Sequence, residues 1–146
     1  MLDSLKLALK KYRQYRHPDL SELEPSQIYA LFPEEGEKLA TLHWPQEWPE
    51  GKRAGVYLIF SGASKLLYVG KAWIIGRRLS NYFQSDLPAN ETNPCRIVHD
   101  WGDDRPMYVV TVAVPKTSTF EAASLEEYLI RELNPSTNQR RLREVA

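Results

Sequence analysis

Two β-rich runs, residues 56–60 and 66–69, flank Ser61-Gly62-Ala63-Ser64, and a helical pattern begins a few residues later. The linker is turn chemistry, far too short for the crossover a parallel pair needs, so the two runs are expected to close as an antiparallel hairpin. From Ala72 to Phe83 the apolar period changes from two to about 3.6. Ile75, Leu79, Tyr82 and Phe83 fall on one side, Arg78 at its border and Arg77 opposite. A hairpin joined this closely to an amphipathic helix can bury both apolar faces only by laying the helix on the sheet.

The remaining elements extend that unit. Residues 107–114 read as a third strand. Ser118-Thr119-Phe120-Glu121 has the Ser-x-x-Glu spacing of a capping box that would open a last helix, and Asn134-Pro135 closes it. The order β-β-α-β-α predicts an α+β fold, a small three-stranded antiparallel sheet flanked by helices. Ahead of it, Leu2, Leu5, Leu9 and Tyr12 recur at helical spacing. They predict an amphipathic N-terminal helix that ends before Pro18 and packs on the domain; a DNA-contacting arm is the alternative. Pro25 and Ser26 suggest a short helix through Leu31. Residues 44–49, with two Trp-Pro pairs, read as an extended strap, because proline biases its predecessor away from helix. Residues 84–106 read as a loop with a function or a small structure of its own. The expected division is a helical and extended decoration over 1–52, the main domain over 53–140 and a basic tail over 141–146.

At 146 residues the chain suits one domain with an adequate core. The lone Cys95 forms no internal disulfide, and His17, His43 and His99 lack zinc-finger spacing. With no run long enough for a membrane span and no leader pattern, a soluble, cytoplasmic protein away from membranes is expected. Net charge is zero but segregated. Residues 17–50 carry eight acidic groups against Lys38, whereas residues 51–83 carry six basic groups and no acidic one. The tail adds Arg140, Arg141 and Arg143. Such segregation allows a basic face suited to nucleic acid on a neutral protein.

One carboxylate breaks the helical pattern. Ala122, Leu125, Leu129, Ile130 and Leu133 form the apolar stripe of the last helix, and Glu126 falls in its middle, while Glu121, Glu127 and Glu132 fall outside. A buried carboxylate requires a cation, a hydrogen-bond donor or a pocket mouth. A divalent metal would satisfy it, and so would an arginine at the core margin. Singly, Tyr57 and Tyr68 suit a sheet core, Lys71 a solvated surface and Arg78 a salt-bridging stripe edge.

Their joint spacing is more specific. Gly55-Val56-Tyr57, then Tyr68-Val69-Gly70-Lys71-Ala72, then Arg78-Leu79-Ser80-x-Tyr82-Phe83 resembles the GIY-YIG nuclease superfamily, in wording nearest to UvrC-type N-terminal incision domains. Glu126-x-x-Leu129-Ile130 with Pro135 and Asn138 resembles that family's acidic helix and its closing residues. The resemblance spans about residues 53–138. Valine replaces isoleucine in both name-giving tripeptides, which leaves the chemistry intact.

This resemblance implies hydrolysis of a DNA phosphodiester, one strand per active site, with a single Mg²⁺ or Mn²⁺. It makes Tyr57 and Tyr68 the paired tyrosines, Lys71 and Arg78 the cationic groups, Glu126 the metal ligand and Asn138 the bracing residue. Tyr57 is favoured as the base with Tyr68 orienting, and the exchanged roles stay open. Repair, restriction and mobile-element settings all stay open, and residues 1–50 are a surface through which a protein partner could supply specificity. Two rival readings compete. One is a catalytically silent module retained to bind DNA or protein; the other is a closed core in which the polar groups pair only with one another, leaving no cavity.

Overall fold

The computed structural model describes residues 1–36, 38–85 and 95–138. The chain opens with helix α1 (Asp3–Tyr12) and a single 3-10 turn (Arg13–Tyr15). A short strand β1 (Tyr29–Ala30), a short helix α2 (Pro33–Gly36) and a short strand β2 (Leu42–His43) follow. The hairpin is β3 (Gly55–Ser61) and β4 (Leu66–Ala72), and α3 (Ile75–Tyr82) comes next. A two-stranded ribbon, β5 (Phe83–Ser85) and β6 (Cys95–Ile97), leads to β7 (Pro106–Ala113) and α4 (Glu121–Leu133).

The main sheet runs β2-β1-β7-β3-β4. Its centre, β7-β3-β4, is the antiparallel three-stranded sheet the sequence predicts. Two short strands from the N-terminal segment widen it: β1 lies antiparallel to β7, and β2 parallel to β1. Strand β3 lies between two neighbours and beneath helices on both faces, so all seven of its residues are buried. That burial explains why it reads as a continuous apolar run instead of an alternating one.

Side chains leave the sheet alternately on two faces. Val56, Leu58, Phe60, Val69, Val110 and Val112 join Leu5 and Leu9 of α1 and Leu125 and Leu129 of α4 in one core. Tyr57, Ile59, Tyr68 and Val109 join Ile75, Leu79 and Tyr82 of α3 in the other. Tyr57 and Tyr68 share this face because Tyr68 lies opposite Ile59, two residues from Tyr57. The strap at 44–49 covers the same core: Trp48 packs on Tyr29 and Phe83, and the Tyr29 hydroxyl donates to the Gln46 carbonyl (2.8 Å). Among the described residues, no helix is long and apolar enough to cross a membrane.

Three local expectations need correction. Residues 25–31 are not helical. The Ser26 N–H donates to the Thr111 carbonyl, the Thr111 N–H to Ser26 Oγ, and Tyr29 and Ala30 pair with Val109 and Tyr108, so the backbone demand of β7 overrides the Pro-Ser start signal. The capping box at 118–121 does not form. The first turn of α4 has no side-chain cap, and Arg16 takes the Glu121 carboxylate instead. The 84–106 segment is not all loop, since it carries β6 and pairs it with β5. The basic tail at 141–146 lies outside the described residues.

Candidate active site

The hairpin builds the floor of the site. Tyr57 on β3 faces Gly70 on β4, and a Cβ at position 70 would lie 2.3 Å from the Tyr57 ring and hydroxyl. Gly70 is therefore what lets the ring lie flat across the neighbouring strand. Gly55 answers a different crowding, because a Cβ there would lie 2.2 Å from the Val112 carbonyl oxygen across the β3–β7 pair. Both name-giving glycines are thus packing requirements of this sheet.

Above the floor lies an aromatic cluster. The rings of Tyr57, Tyr68 and Tyr82 stand 5.7 to 6.1 Å apart, and Trp101 packs edge-on to Tyr68. The Tyr57 hydroxyl donates to the Tyr82 hydroxyl (3.1 Å). Burial pushes the Tyr57 phenol well above its ordinary value, the hydrogen bond to Tyr82 adds to the rise, and the Arg78 guanidinium opposes it. The phenol is therefore harder to ionise than a free tyrosine, although a phenol must ionise before it can take a proton from water. Arg78 gains from the same neighbour and is held more firmly cationic.

Strand β4 is an edge strand with outward backbone groups to satisfy. Asn138 covers it like a one-residue strand. The Val69 N–H donates to Asn138 Oδ1 (2.8 Å), and Asn138 Nδ2 donates to the Val69 carbonyl (3.1 Å). Two residues along the same edge, the Lys71 backbone N–H meets the Glu126 carboxylate. Glu126, on the face of α4 toward β4, is half-buried. Desolvation raises its pKa above the usual carboxylate range, and Lys71 and Arg78 pull it back only in part.

These groups open into one cavity of about 620 Å³, lined by Tyr57, Tyr68, Lys71, Arg78 and Glu126. Five of the six predicted site residues thus meet there, and the closed-core reading fails. The sixth, Asn138, is buried behind β4 and touches the site through the strand backbone. Four further residues escape sequence reasoning. Tyr82 receives the Tyr57 proton contact, and Arg77, Trp73 and Phe120 line the same cavity. Tyr82 had a visible signal, its place on the inward side of α3 beside the Arg78 motif; Phe120, in a loop before α4, had none.

The tyrosine-floored hairpin, the helix-borne arginine and the opposing carboxylate all lie within the stretch that matches the UvrC-like GIY-YIG domain. The model of that family matches residues 53–139, more than half of the chain, and the chain belongs to it. Its relatives include UvrABC system protein C of Aliivibrio salmonicida, 33% identical over 84 residues, and of Bradyrhizobium diazoefficiens, 38% identical over 87 residues. The protein of the same name from Rickettsia bellii is 34% identical over 87 residues. These matches cover 58%, 58% and 60% of this chain but only 12%, 11% and 12% of the respective relatives. Residues 1–52 lie outside the family match.

Proposed function

We propose that the chain is a metal-dependent DNA endonuclease that nicks one strand per turnover. The observation that carries this reading is the convergence of Tyr57, Tyr68, Lys71, Arg78 and Glu126 on one cavity. The relatives' name, UvrABC system protein C, supports an excision-repair setting. Residues 1–50 are the surface through which a protein partner would direct the cut.

The donor set fits a hard ion. Among the described residues no group of three or more His, Cys, Asp and Glu side chains gathers, so a caged zinc-type site is a poor match. A single half-buried carboxylate suits Mg²⁺ or Mn²⁺, which commonly take one protein carboxylate, waters and substrate phosphate oxygens. Glu126 would hold the ion, and when bound it would stabilise the charge on the leaving oxygen. The chain's own residues do the rest. Arg78 contacts the phosphoryl oxygens as their charge grows, with a donor fork that lysine lacks. Lys71 adds positive charge beside Glu126, and Asn138 holds the β4 edge on which Lys71 rides. Water bonds to phosphorus, the ester P–O bond breaks, and the leaving oxygen departs with its electron pair and takes up a proton.

In its ionised form Tyr57 accepts the proton of the attacking water, and Tyr68 orients that water. Because burial holds the Tyr57 phenol above its ordinary value, its ionised form is scarce at neutral pH. Cleavage by the wild-type protein should therefore keep rising with pH across the neutral and mildly alkaline range. A rate that is flat or falling there would remove Tyr57 as the base.

The direct test is supercoiled plasmid and a branched oligonucleotide duplex incubated with Mg²⁺ or EDTA, beside the Glu126→Ala protein. Nicking that needs Mg²⁺ and disappears in the variant supports the reading. Intact DNA under every condition overturns it for the isolated chain.

A further inference from the structure

Two large aromatic side chains stand in solvent at the mouth of the cleft. Trp73 is 65% exposed and Phe120 is 81% exposed, although rings of this size are usually buried. Their centroids are 5.6 Å apart with the planes nearly perpendicular, and both line the cavity that holds Lys71, Arg78 and Glu126. Each sits beside a regular element. Trp73 occupies the two-residue turn between β4 and α3, two positions from Lys71. Phe120 immediately precedes α4, next to Glu121, whose carboxylate is pinned by Arg16 (2.6 and 2.9 Å).

We infer that Trp73 and Phe120 form a stacking platform for an unpaired nucleobase beside the scissile phosphate. The preferred substrate class is then DNA with an unpaired segment, such as a bubble, flap or single strand. The inference rests on the reading that this cleft cuts DNA. Open aromatic faces next to cationic groups, here Lys71, Arg77 and Arg78, are the combination by which proteins hold single-stranded nucleic acid: cations follow the phosphates while rings stack on bases. A base within duplex has both faces covered by its neighbours, so only an unpaired one can use the platform. A purely apolar protein partner would leave Arg77, exposed at the same mouth, without a charge to meet. The cavity also lies within the usual range of ligand sites, roughly 300–1,000 Å³.

The test measures binding without cutting. Glu126→Gln protein in EDTA is titrated, by fluorescence anisotropy, with a labelled single strand, a bubble duplex and a blunt duplex of matching length. Adding Trp73→Ala or Phe120→Ala should weaken binding to unpaired DNA by about 5- to 150-fold and leave the blunt duplex unchanged. Trp73→Phe should keep most of the affinity. A 2-aminopurine in the bubble should be quenched on binding, and that quench should disappear with Trp73→Ala.

Unchanged affinity for unpaired DNA with both rings removed overturns the platform, as does an equal loss on all three DNAs. The nicking assay keeps the two readings apart. Trp73-dependent binding without any cleavage by the wild-type protein rejects the nuclease and keeps the platform. Nicking with binding indifferent to both rings keeps the nuclease and rejects the platform.

Discussion

Helix α4 carries two partly buried carboxylates five residues apart, and they are treated in opposite ways. Glu121 is closed off: Arg16 grips it with two hydrogen bonds of 2.6 and 2.9 Å, and the two side chains are only 8% and 4% exposed. The Tyr12 hydroxyl donates to it as well (3.4 Å). Glu126 is left open, facing a cavity with a raised pKa that Lys71 and Arg78 only partly offset. Burial by itself therefore does not mark a functional carboxylate. The mark is a charge whose compensation is incomplete until something enters the cavity. Glu121 belongs to the joint between α1 and α4, and Glu126 to the cleft.

Breaking the closed carboxylate should give the largest effect. Glu121→Ala leaves the Arg16 guanidinium buried and unpaired, which should cost about 3–5 kcal/mol of stability in urea unfolding. The protein that remains folded should still cut DNA. Replacing both partners together, Arg16→Met with Glu121→Leu, should recover most of the loss, since well-packed apolar pairs commonly replace buried ion pairs at little cost. If Glu121→Ala is as stable as the wild type, the two carboxylates do not differ in the way described.

Breaking the open carboxylate should do the reverse. Glu126→Gln should lower the cleavage rate by about 10²-fold or more, and Arg78→Ala should do the same through loss of a contact made as charge develops. Neither should lower the thermal midpoint, and Glu126→Gln should raise it slightly because a desolvated charge is removed. Single-turnover rates alongside calorimetry separate the two effects. Loss of folding in Glu126→Gln would make this carboxylate structural.

The difference between the two glutamates explains what was legible in the sequence. Hairpin, α3, β7 and α4 follow from local periodicity and turn chemistry, and the position of Glu126 follows from one helical wheel. The motif spacing around Tyr57, Tyr68, Lys71 and Arg78 is likewise local. The role of Glu121 is not, because its partner lies 105 residues away on a segment outside the family match. A capping box was the best local use for that carboxylate until the guanidinium arrived. Strands β1 and β2 were illegible for the same reason: two residues each, β1 exists because β7 offers an edge and β2 because β1 then offers one. Phe120 gave no signal, since an exposed aromatic in a loop has no periodicity. The upward shift of Tyr57 depends on how tightly the core between the sheet and α3 closes around it, which composition does not encode.

The same contrast reaches the buried phenol. Tyr57 is closed from below by Gly70 and open toward the cavity, so position 70 tests how much of its placement is steric. Gly70→Ala puts a methyl 2.3 Å from the ring of a residue that is only 1% exposed, so the ring or the strand must shift. Overpacking of this kind should cost about 1–3 kcal/mol in urea unfolding, with reduced cleavage by the folded protein. A variant with wild-type stability and rate would mean that Tyr57 is not held by the strand beneath it.

The smallest effect concerns pH and addresses the comparison directly. Burial raises the pKa of Glu126 above the ordinary 4.5, so between the two values the folded chain binds a proton that the unfolded chain has released. The stability tied to that proton is fully present below the unfolded pKa and is lost as pH rises through the folded one. At pH 7 the wild-type protein therefore carries a desolvated carboxylate that Glu126→Gln does not. The advantage of the variant in urea midpoint should be greatest at pH 7 and should close as pH falls toward 4.5. A constant gap across that window would mean that its neighbours compensate Glu126 fully, and the cleft would lose its open carboxylate.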